Sequence, residues 1–277
     1  MKTLYETIMQ SRFPTHKIEE SILSKSGVGK TYLIQSWLDE YEVKNYTINN
    51  KGEVDVDGDV DLMRKGLAEF PSFIQFGTIK GNFDCSYNNL TYLKGAPKKV
   101  SGIFDCRYNK LESLEGSPKE VGKYFSCLNN NLESLEGAPE KVGDDFVCAF
   151  NKLESLEGSP KRVGRHFYCQ NNALTSLKGA PEKIKGDFFC QNNKLESLKD
   201  APKKVGKRFY CFNNSLTTLE GAPEEVGGTF DCEYNKLESL EGAPSVVGGD
   251  FNCKDNATNF TKADVKKVCK VGFSLYA

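Results

Sequence analysis

Hydrophobic residues recur along this chain with a period of 21 residues, from position 81 to about position 256. In each unit a phenylalanine and a cysteine stand two residues apart, as in Phe83-Asp84-Cys85. Nine cysteines mark the period, at positions 85, 106, 127, 148, 169, 190, 211, 232 and 253. Alternation with a period of two predicts a short strand. A fixed period of roughly 20 to 50 residues predicts a solenoid of stacked units.

The remainder of each unit predicts how the chain turns back. Asn88 follows the first of these cysteines by three residues, where its amide can bond backbone groups at the exit of the strand. Leu90 and Leu93 are predicted to fill the core, and Pro97 to direct the return of the chain. The recurring residues are therefore expected to form the scaffold, and the positions that vary to carry the function.

The order Phe83-x-Cys85-x-x-Asn88-x-Leu90-x-x-Leu93 resembles the leucine-rich repeat, L-x-L-x-x-N-x-L. The proline-bearing segment that follows is similar to that of the short bacterial type. This resemblance implies an α/β-type solenoid with a parallel β-sheet on its concave face. Because the unit has 21 residues, the backs of the turns are expected to be mostly non-helical.

Residues 1–57 are predicted to form an N-terminal cap of helices and a β-hairpin. Apolar residues have helical spacing at positions 4–9 and 33–41, with breaks at positions 13–14 and 24–29. From Tyr46 onward the period changes to two, and the Asn50-Lys51-Gly52 turn predicts the hairpin.

The solenoid itself is predicted over residues 58–256, as one degenerate repeat at Val60-Asp61-Leu62 and nine units, the last truncated. A C-terminal cap is predicted over residues 257–277. In that cap, a capping-box-like start predicts a helix at residues 262–269, followed by a strand at residues 271–276.

Two stretches resemble ligand-binding motifs, but neither has the residue spacing that its motif requires. Gly29-Lys30-Thr31 matches the end of a phosphate loop, but Ser24 stands where that motif needs a glycine. The acidic stretch at residues 53–61 resembles a calcium loop, but Arg64 occupies the place of the bidentate glutamate. The alternation instead predicts Asp55, Asp57, Asp59 and Asp61 on one face of a strand. No metal, cofactor or catalytic residue is predicted.

The cysteines are predicted to be buried thiols stacked in a column. A disulfide needs two Cβ atoms about 3.8 Å apart that face each other. Equivalent residues on parallel strands lie about 4.8 Å apart with their side chains pointing the same way. They are therefore expected to pack as small hydrophobic residues.

Charge and hydropathy limit the classes of partner and compartment. With 37 basic and 38 acidic residues the net charge is −1, and no run of lysine or arginine predicts a phosphate track. No segment has the roughly 18 apolar residues of a membrane span. A cytoplasmic protein that binds neither nucleic acid nor membranes is expected. The opening MKTLYETIM is similar to short leaders on leucine-rich-repeat proteins of gut bacteria and their phages, which implies the host cytoplasm or a virion as alternative locations.

In each unit, the residue between the phenylalanine and the cysteine and the residue just after the cysteine are predicted to lie on the concave surface. In the middle of the array they are apolar or aromatic, and toward the ends they are acidic or otherwise polar. The predicted core of a binding site is Leu128, Val147, Tyr168, Phe189, Tyr210 and Phe212. The predicted polar rim is Asp105, His166, Arg208, Asp231 and Glu233. Aromatic residues ringed by charge are typical of binding hot spots.

The sequence therefore predicts a non-enzymatic module that binds a protein or peptide and is monomeric without it. One alternative is a phage virion or assembly component that acts by self-association. A further alternative is a glycan-binding protein, with Gln170 and Gln191 as polar partners of the aromatic residues.

Overall fold

The computed structural model describes residues 27–277. The helix predicted at positions 4–9, the break at positions 13–14 and the leader lie outside the described residues. Helix α1 spans Gly27–Glu40, so residues 27–29, which were predicted to belong to a break, are helical. Ile34, Trp37 and Leu38 are buried, and the Trp37 ring lies 6.1 Å from that of Phe76. Helix α1 thus covers the N-terminal end of the core, as the cap hypothesis predicts.

The predicted hairpin is present as β1 (Tyr46–Ile48) and β2 (Val54–Val56), which pair antiparallel. Strand β2 also pairs in parallel with β4 (Phe76–Ile79), so the hairpin continues a sheet of the solenoid. The four aspartates do not lie on one strand, because the chain leaves β2 after Val56 and enters the next strand, β3 (Val60–Asp61), only at Val60. That prediction is wrong.

Eleven parallel strands form what we call the first sheet, which contains one phenylalanine–cysteine position per turn. Equivalent residues pair in register, as Phe146 pairs with Phe125 and Phe167. Its strands are β3 (Val60–Asp61), β5 (Phe83–Asp84), β7 (Phe104–Asp105), β9 (Phe125–Ser126), β11 (Phe146–Val147), β13 (Phe167–Tyr168), β15 (Phe188–Phe189), β17 (Phe209–Tyr210), β19 (Phe230–Asp231), β21 (Phe251–Asn252) and β23 (Leu275–Tyr276). The predicted parallel-stranded solenoid is confirmed.

Below the first sheet, the recurring side chains stack along the core as predicted. The phenylalanine rings of neighbouring turns lie 5.1–5.6 Å apart, from Phe83 to Phe251. All ten cysteines are free and buried, and Cys106 Sγ donates a hydrogen bond to the carbonyl of Ser126 in the next turn. The predicted column of buried thiols is confirmed.

The asparagine after each strand makes the predicted ladder between turns. Asn151 Nδ2 donates to the carbonyls of Cys127 and Cys148, at 3.0 and 3.1 Å. Its Oδ1 accepts the backbone N–H of Leu132 at 3.1 Å. Each such amide therefore joins two turns and satisfies buried backbone groups that no strand partner reaches.

The backs of the turns are non-helical, as predicted, but they form strands that the sequence analysis missed. We call these strands the second sheet, in two parts. The first part joins β1, β2 and β4 to β6 (Lys99–Val100), β8 (Glu120–Val121), β10 (Lys141–Val142) and β12 (Arg162–Val163). The second part contains β14 (Lys183–Ile184), β16 (Lys204–Val205), β18 (Glu225–Val226), β20 (Val246–Val247) and β22 (Lys270–Val271).

The interruption between β12 and β14 coincides with a change of residue at the following corner. In the turns on either side this position is Gly164 and Gly206, and a Cβ there would lie less than 3.0 Å from a carbonyl oxygen of the preceding turn. In the interrupted turn the position is Lys185. Val163 is 8% exposed, against 1% for Val142 in the preceding turn. A Cβ at this corner does not by itself interrupt the sheet, because Ser101 occupies the same position in a turn where β6 and β8 remain paired.

The C-terminal segment continues both sheets beyond the predicted repeats. Helix α2 spans Lys262–Val268 and begins with the predicted capping box between Thr261 and Asp264. Strands β22 and β23 then pair with β20 and β21. Residues 270–277 thus form part of an eleventh turn. Among residues 27–277, no helix is long and apolar enough to cross a membrane.

Candidate functional site

The outer face of the first sheet carries the residues that flank each cysteine. Because side chains alternate along a strand, these residues point away from the core that the phenylalanine and cysteine fill. In four consecutive turns the outer residue before the cysteine is Val147, Tyr168, Phe189 and Tyr210. The structure therefore aligns the predicted central residues in one column.

Tyr168, Phe189, Tyr210 and Phe212 lie together on this face, and we call them the aromatic patch. The ring centroids of Tyr168 and Phe189 are 5.0 Å apart, and those of Phe189 and Tyr210 are 4.6 Å apart with planes 3° from parallel. Phe212 lies 5.9 Å from Tyr210, tilted by 54°. The rings are about one strand spacing apart, as predicted.

Stacking determines which part of each ring a partner can reach. Tyr168 has Phe189 on one side and the His166 ring, 5.6 Å away and 13° from parallel, beside it. Phe189 lies between Tyr168 and Tyr210. The ring faces are therefore largely covered by neighbours. All four residues of the patch remain partly exposed, so their edges and the two tyrosine hydroxyls are the accessible parts.

Arg208 borders the patch and is held in a fixed position. Its Nε and Nη2 donate to the two carboxylate oxygens of Asp187, at 3.1 and 2.7 Å. The guanidinium lies 5.2 Å from the Phe189 ring and 5.6 Å from the Tyr210 ring. Burial opposes ionisation of Asp187, but the hydrogen bonds from Arg208 outweigh it, so the pKa of this carboxyl is lowered. Arg208 is thus a charged group that is already oriented beside the rings.

His166 belongs to a hydrogen-bond ladder instead of an open rim. With its proton on Nε2, its Nδ1 accepts the backbone N–H of Asp187 at 2.9 Å. The backbone N–H of His166 donates to Asp145 Oδ1, and His166 is 7% exposed. Asp187 Oδ1 in turn accepts the N–H of Arg208 at 3.0 Å. His166 therefore positions the neighbouring turns and has little surface for a partner.

Two other predicted contacts are also buried. Val147 is 4% exposed and Asp105 6% exposed, whereas Leu128 is half-buried. Burial raises the pKa of Asp105 to about 6, although it accepts the backbone N–H of Arg107. Contrary to the expectation, Val147, Asp105 and His166 offer little contact surface.

Asp231 and Glu233 lie in the turn that follows Tyr210 and Phe212, at the C-terminal end of the aromatic patch. Burial raises the pKa of Asp231 to about 6, and the charge of Glu233 adds to that rise. Glu233 accepts a hydrogen bond from Asn252 Nδ2 at 2.8 Å. Both acids are half-buried and remain accessible at the surface.

The sequence analysis did not single out Asp187, which orients Arg208, or the ladder to which it belongs. The signal was available, because the residue before the phenylalanine is a hydrogen-bond acceptor in three consecutive turns, as Asp145, His166 and Asp187. The structure also leaves Gln170 Oε1 and Gln191 Oε1 buried without a hydrogen-bond partner beside the patch.

Comparison with solved structures finds similar chains, of which two are described here. One is YopM from Yersinia enterocolitica WA-314, at 18% identity and a TM-score of 0.35, covering 68% of this chain and 52% of that one. The other is a leucine-rich repeat protein from Bacteroides eggerthii DSM 20697, at 15% identity and a TM-score of 0.42, covering 76% of this chain and 46% of that one. The chain spans about half the length of these two structures. No protein-family model and no curated protein matches the chain.

Proposed function

We propose that the protein is a non-enzymatic binding module that holds a protein or peptide against the outer face of its first sheet. The aromatic patch carries the proposal. Each aromatic side chain can contribute on the order of 150–250 Å² of contact surface. Its rings are already stacked, so little side-chain entropy would be lost when a partner binds.

The surroundings of the patch favour a polypeptide partner. Exposed ring edges suit contact with aliphatic and aromatic side chains, and Arg208 offers a cation that is already oriented. Asp231 and Glu233 supply a polar end to the surface. A glycan would pack best on exposed ring faces, and the stacking leaves few of those here.

The experiment is affinity capture from a lysate of the native host with two matched variants. In the first, Tyr168, Phe189 and Tyr210 are changed to serine. In the second, Tyr108, Phe150 and Tyr234 are changed to asparagine, the residue found at the same position in other turns, such as Asn171. These three aromatic residues are 39–56% exposed and lie outside the patch.

We expect the wild type and the asparagine variant to retain the same partner and the serine variant to lose it. Far-UV circular dichroism should show that all three are folded. Equal capture by the serine variant would refute the proposed site. Capture of a glycan by the wild type on a glycan array, with no protein partner, would instead support the glycan alternative.

A further inference from the structure

Charges of opposite sign lie on two other sides of the solenoid. Three consecutive turns carry the sequence Glu-Ser-Leu-Glu after the asparagine corner, and we call their six exposed glutamates the acidic band. The acidic band is Glu112, Glu115, Glu133, Glu136, Glu154 and Glu157. No basic residue lies within these three segments.

The outer face of the second sheet and the corner that follows each of its strands carry the opposite charge over four turns. We call this set the basic band, and its residues are Lys141, Arg162, Arg165, Lys183, Lys204 and Lys207, all exposed. The acids beside it, Glu140, Asp144 and Glu182, are balanced by Lys161, Lys185 and Lys203. The six positive charges of the basic band thus equal in number the six negative charges of the acidic band, on a chain whose overall net charge is −1.

The two bands face in different directions. Leu111 and Leu114 are the buried residues of the first acidic segment, and Val121 is the buried residue of the strand that follows. Gly116, at φ 88°, turns the chain between them. One copy therefore cannot bring its own two bands together, and each band is free to meet another molecule.

The spacing of the two bands is the same because both follow the turns of one solenoid. Residues at equivalent positions in neighbouring turns lie about 4.8 Å apart along the axis. Successive lysines and arginines of one copy can therefore lie opposite successive glutamates of another without a change of register. Of the twelve band residues, two have ion pairs within the described chain, Glu157 with Lys178 and Lys204 with Glu225.

We infer that the basic band binds the acidic band of a second copy of this chain. Such a contact joins two different surfaces, so each bound copy keeps one free band and can bind a further copy. We therefore expect side-by-side arrays of copies that grow longer as the protein concentration rises. Exposed ion pairs are individually weak, so the association should depend strongly on salt.

The test is sedimentation velocity over a range of protein concentrations. The Debye length is about 30 Å at about 0.01 M salt and about 3 Å at about 1 M. At the lower ionic strength, we expect the sedimentation coefficient to rise with concentration beyond that of a dimer. At the higher ionic strength, we expect it to remain that of a monomer. A monomer under both conditions would refute the inference.

Two charge-reversed variants identify the surfaces. One carries Lys141→Glu, Arg162→Glu and Lys183→Glu, which the strands accept because Glu120 and Glu225 occupy the same position in other turns. The other carries Glu115→Lys, Glu136→Lys and Glu157→Lys, where Lys94, Lys178 and Lys199 provide the precedent. Each variant alone should be monomeric at low salt, and an equimolar mixture of the two should associate.

A third variant controls for net charge. Lys110→Glu, Lys152→Glu and Lys236→Glu make the same change of charge on exposed lysines outside the basic band, and this variant should still associate. Failure of the mixture to associate would refute the pairing of the two bands. So would a monomeric wild type that binds duplex DNA or anionic vesicles through the basic band. The serine variant of the aromatic patch should associate like the wild type, which separates this result from the proposed function.

Discussion

Phe189 and Tyr210 stack face to face on neighbouring strands, with ring centroids 4.6 Å apart and planes 3° from parallel. The contact joins two turns on the solvent side, opposite the phenylalanine stack of the core. The outer face is thus held rigid by the same kind of contact that orders the interior.

Phe189→Ala should lower the free energy of unfolding by about 1–3 kcal/mol, because aromatic pairs contribute about 0.5–1.5 kcal/mol each beyond the area they bury. The substitution removes the contacts with Tyr168, Tyr210 and Arg208. Urea denaturation measures the change. Phe150→Asn is the control, since Phe150 is 50% exposed at a φ of 55° that asparagine adopts readily. A larger loss in the control would contradict the prediction.

Asp105→Asn should stabilise the protein at neutral pH. The pKa of Asp105 in the folded state is about 6, above its ordinary value of 3.8. Between about pH 4 and pH 6 the folded state retains a proton that the unfolded state has released, so the stability of the wild type falls as pH rises through this range. The variant avoids this loss and keeps an acceptor for the N–H of Arg107.

The stability difference between Asp105→Asn and the wild type should therefore be small near pH 4 and reach up to about 3 kcal/mol above pH 6, since one pKa unit corresponds to about 1.4 kcal/mol. Thermal unfolding at several pH values measures it. A difference that does not vary between pH 4 and pH 7 would show that the carboxyl is not protonated by burial.

Asn151→Ala should lower the free energy of unfolding by about 3 kcal/mol, because buried backbone groups left without a partner cost about 1–3 kcal/mol each. The amide serves the carbonyls of Cys127 and Cys148 and the N–H of Leu132. Asn131→Ala in the preceding turn is the matched control. If both variants unfold at the same urea concentration, the ladder does not stabilise the fold as described.

Gly227→Ala should lower the free energy of unfolding by about 1–3 kcal/mol, the usual cost of forcing extra atoms into a packed region. The added Cβ would lie less than 3.0 Å from the carbonyl oxygen of Gly206. Amide exchange at Gly227, whose N–H donates to the carbonyl of Val205, should accelerate. Lys185→Ala is the control, because that turn already accommodates a Cβ at the same position. Equal exchange rates in Gly227→Ala and the wild type would count against this steric account.

The scaffold was predictable because each structural role recurs at a fixed position. Phe83, Cys85 and Asn88 have physical properties that permit few alternatives, and the 21-residue period repeats the constraint. The second sheet was missed because strands of two residues, such as Lys99–Val100, are too short to show alternation. The glycine column beside them, Gly122, Gly143 and Gly164, was the available sign of close backbone contact.

The candidate site was predicted less completely, because exposure depends on neighbours that the pattern of one unit does not reveal. The spacing of Tyr168, Phe189 and Tyr210 followed from strand geometry. The burial of Val147 depends on side chains of adjacent turns, and that of His166 on its hydrogen bond to the next turn. Whether any of these residues contacts a partner stays a prediction.

The column of thiols gives every turn from Cys85 to Cys253 its own chemical reporter. Burial raises the pKa of these cysteines, so the native protein should resist alkylation at neutral pH. A thiol becomes reactive only when its own turn opens. Because each cysteine lies in a peptide of distinct sequence, mass spectrometry after brief labelling can follow fraying along the axis, turn by turn. The repeated cysteine thus allows the unfolding of this molecule to be measured separately in each turn.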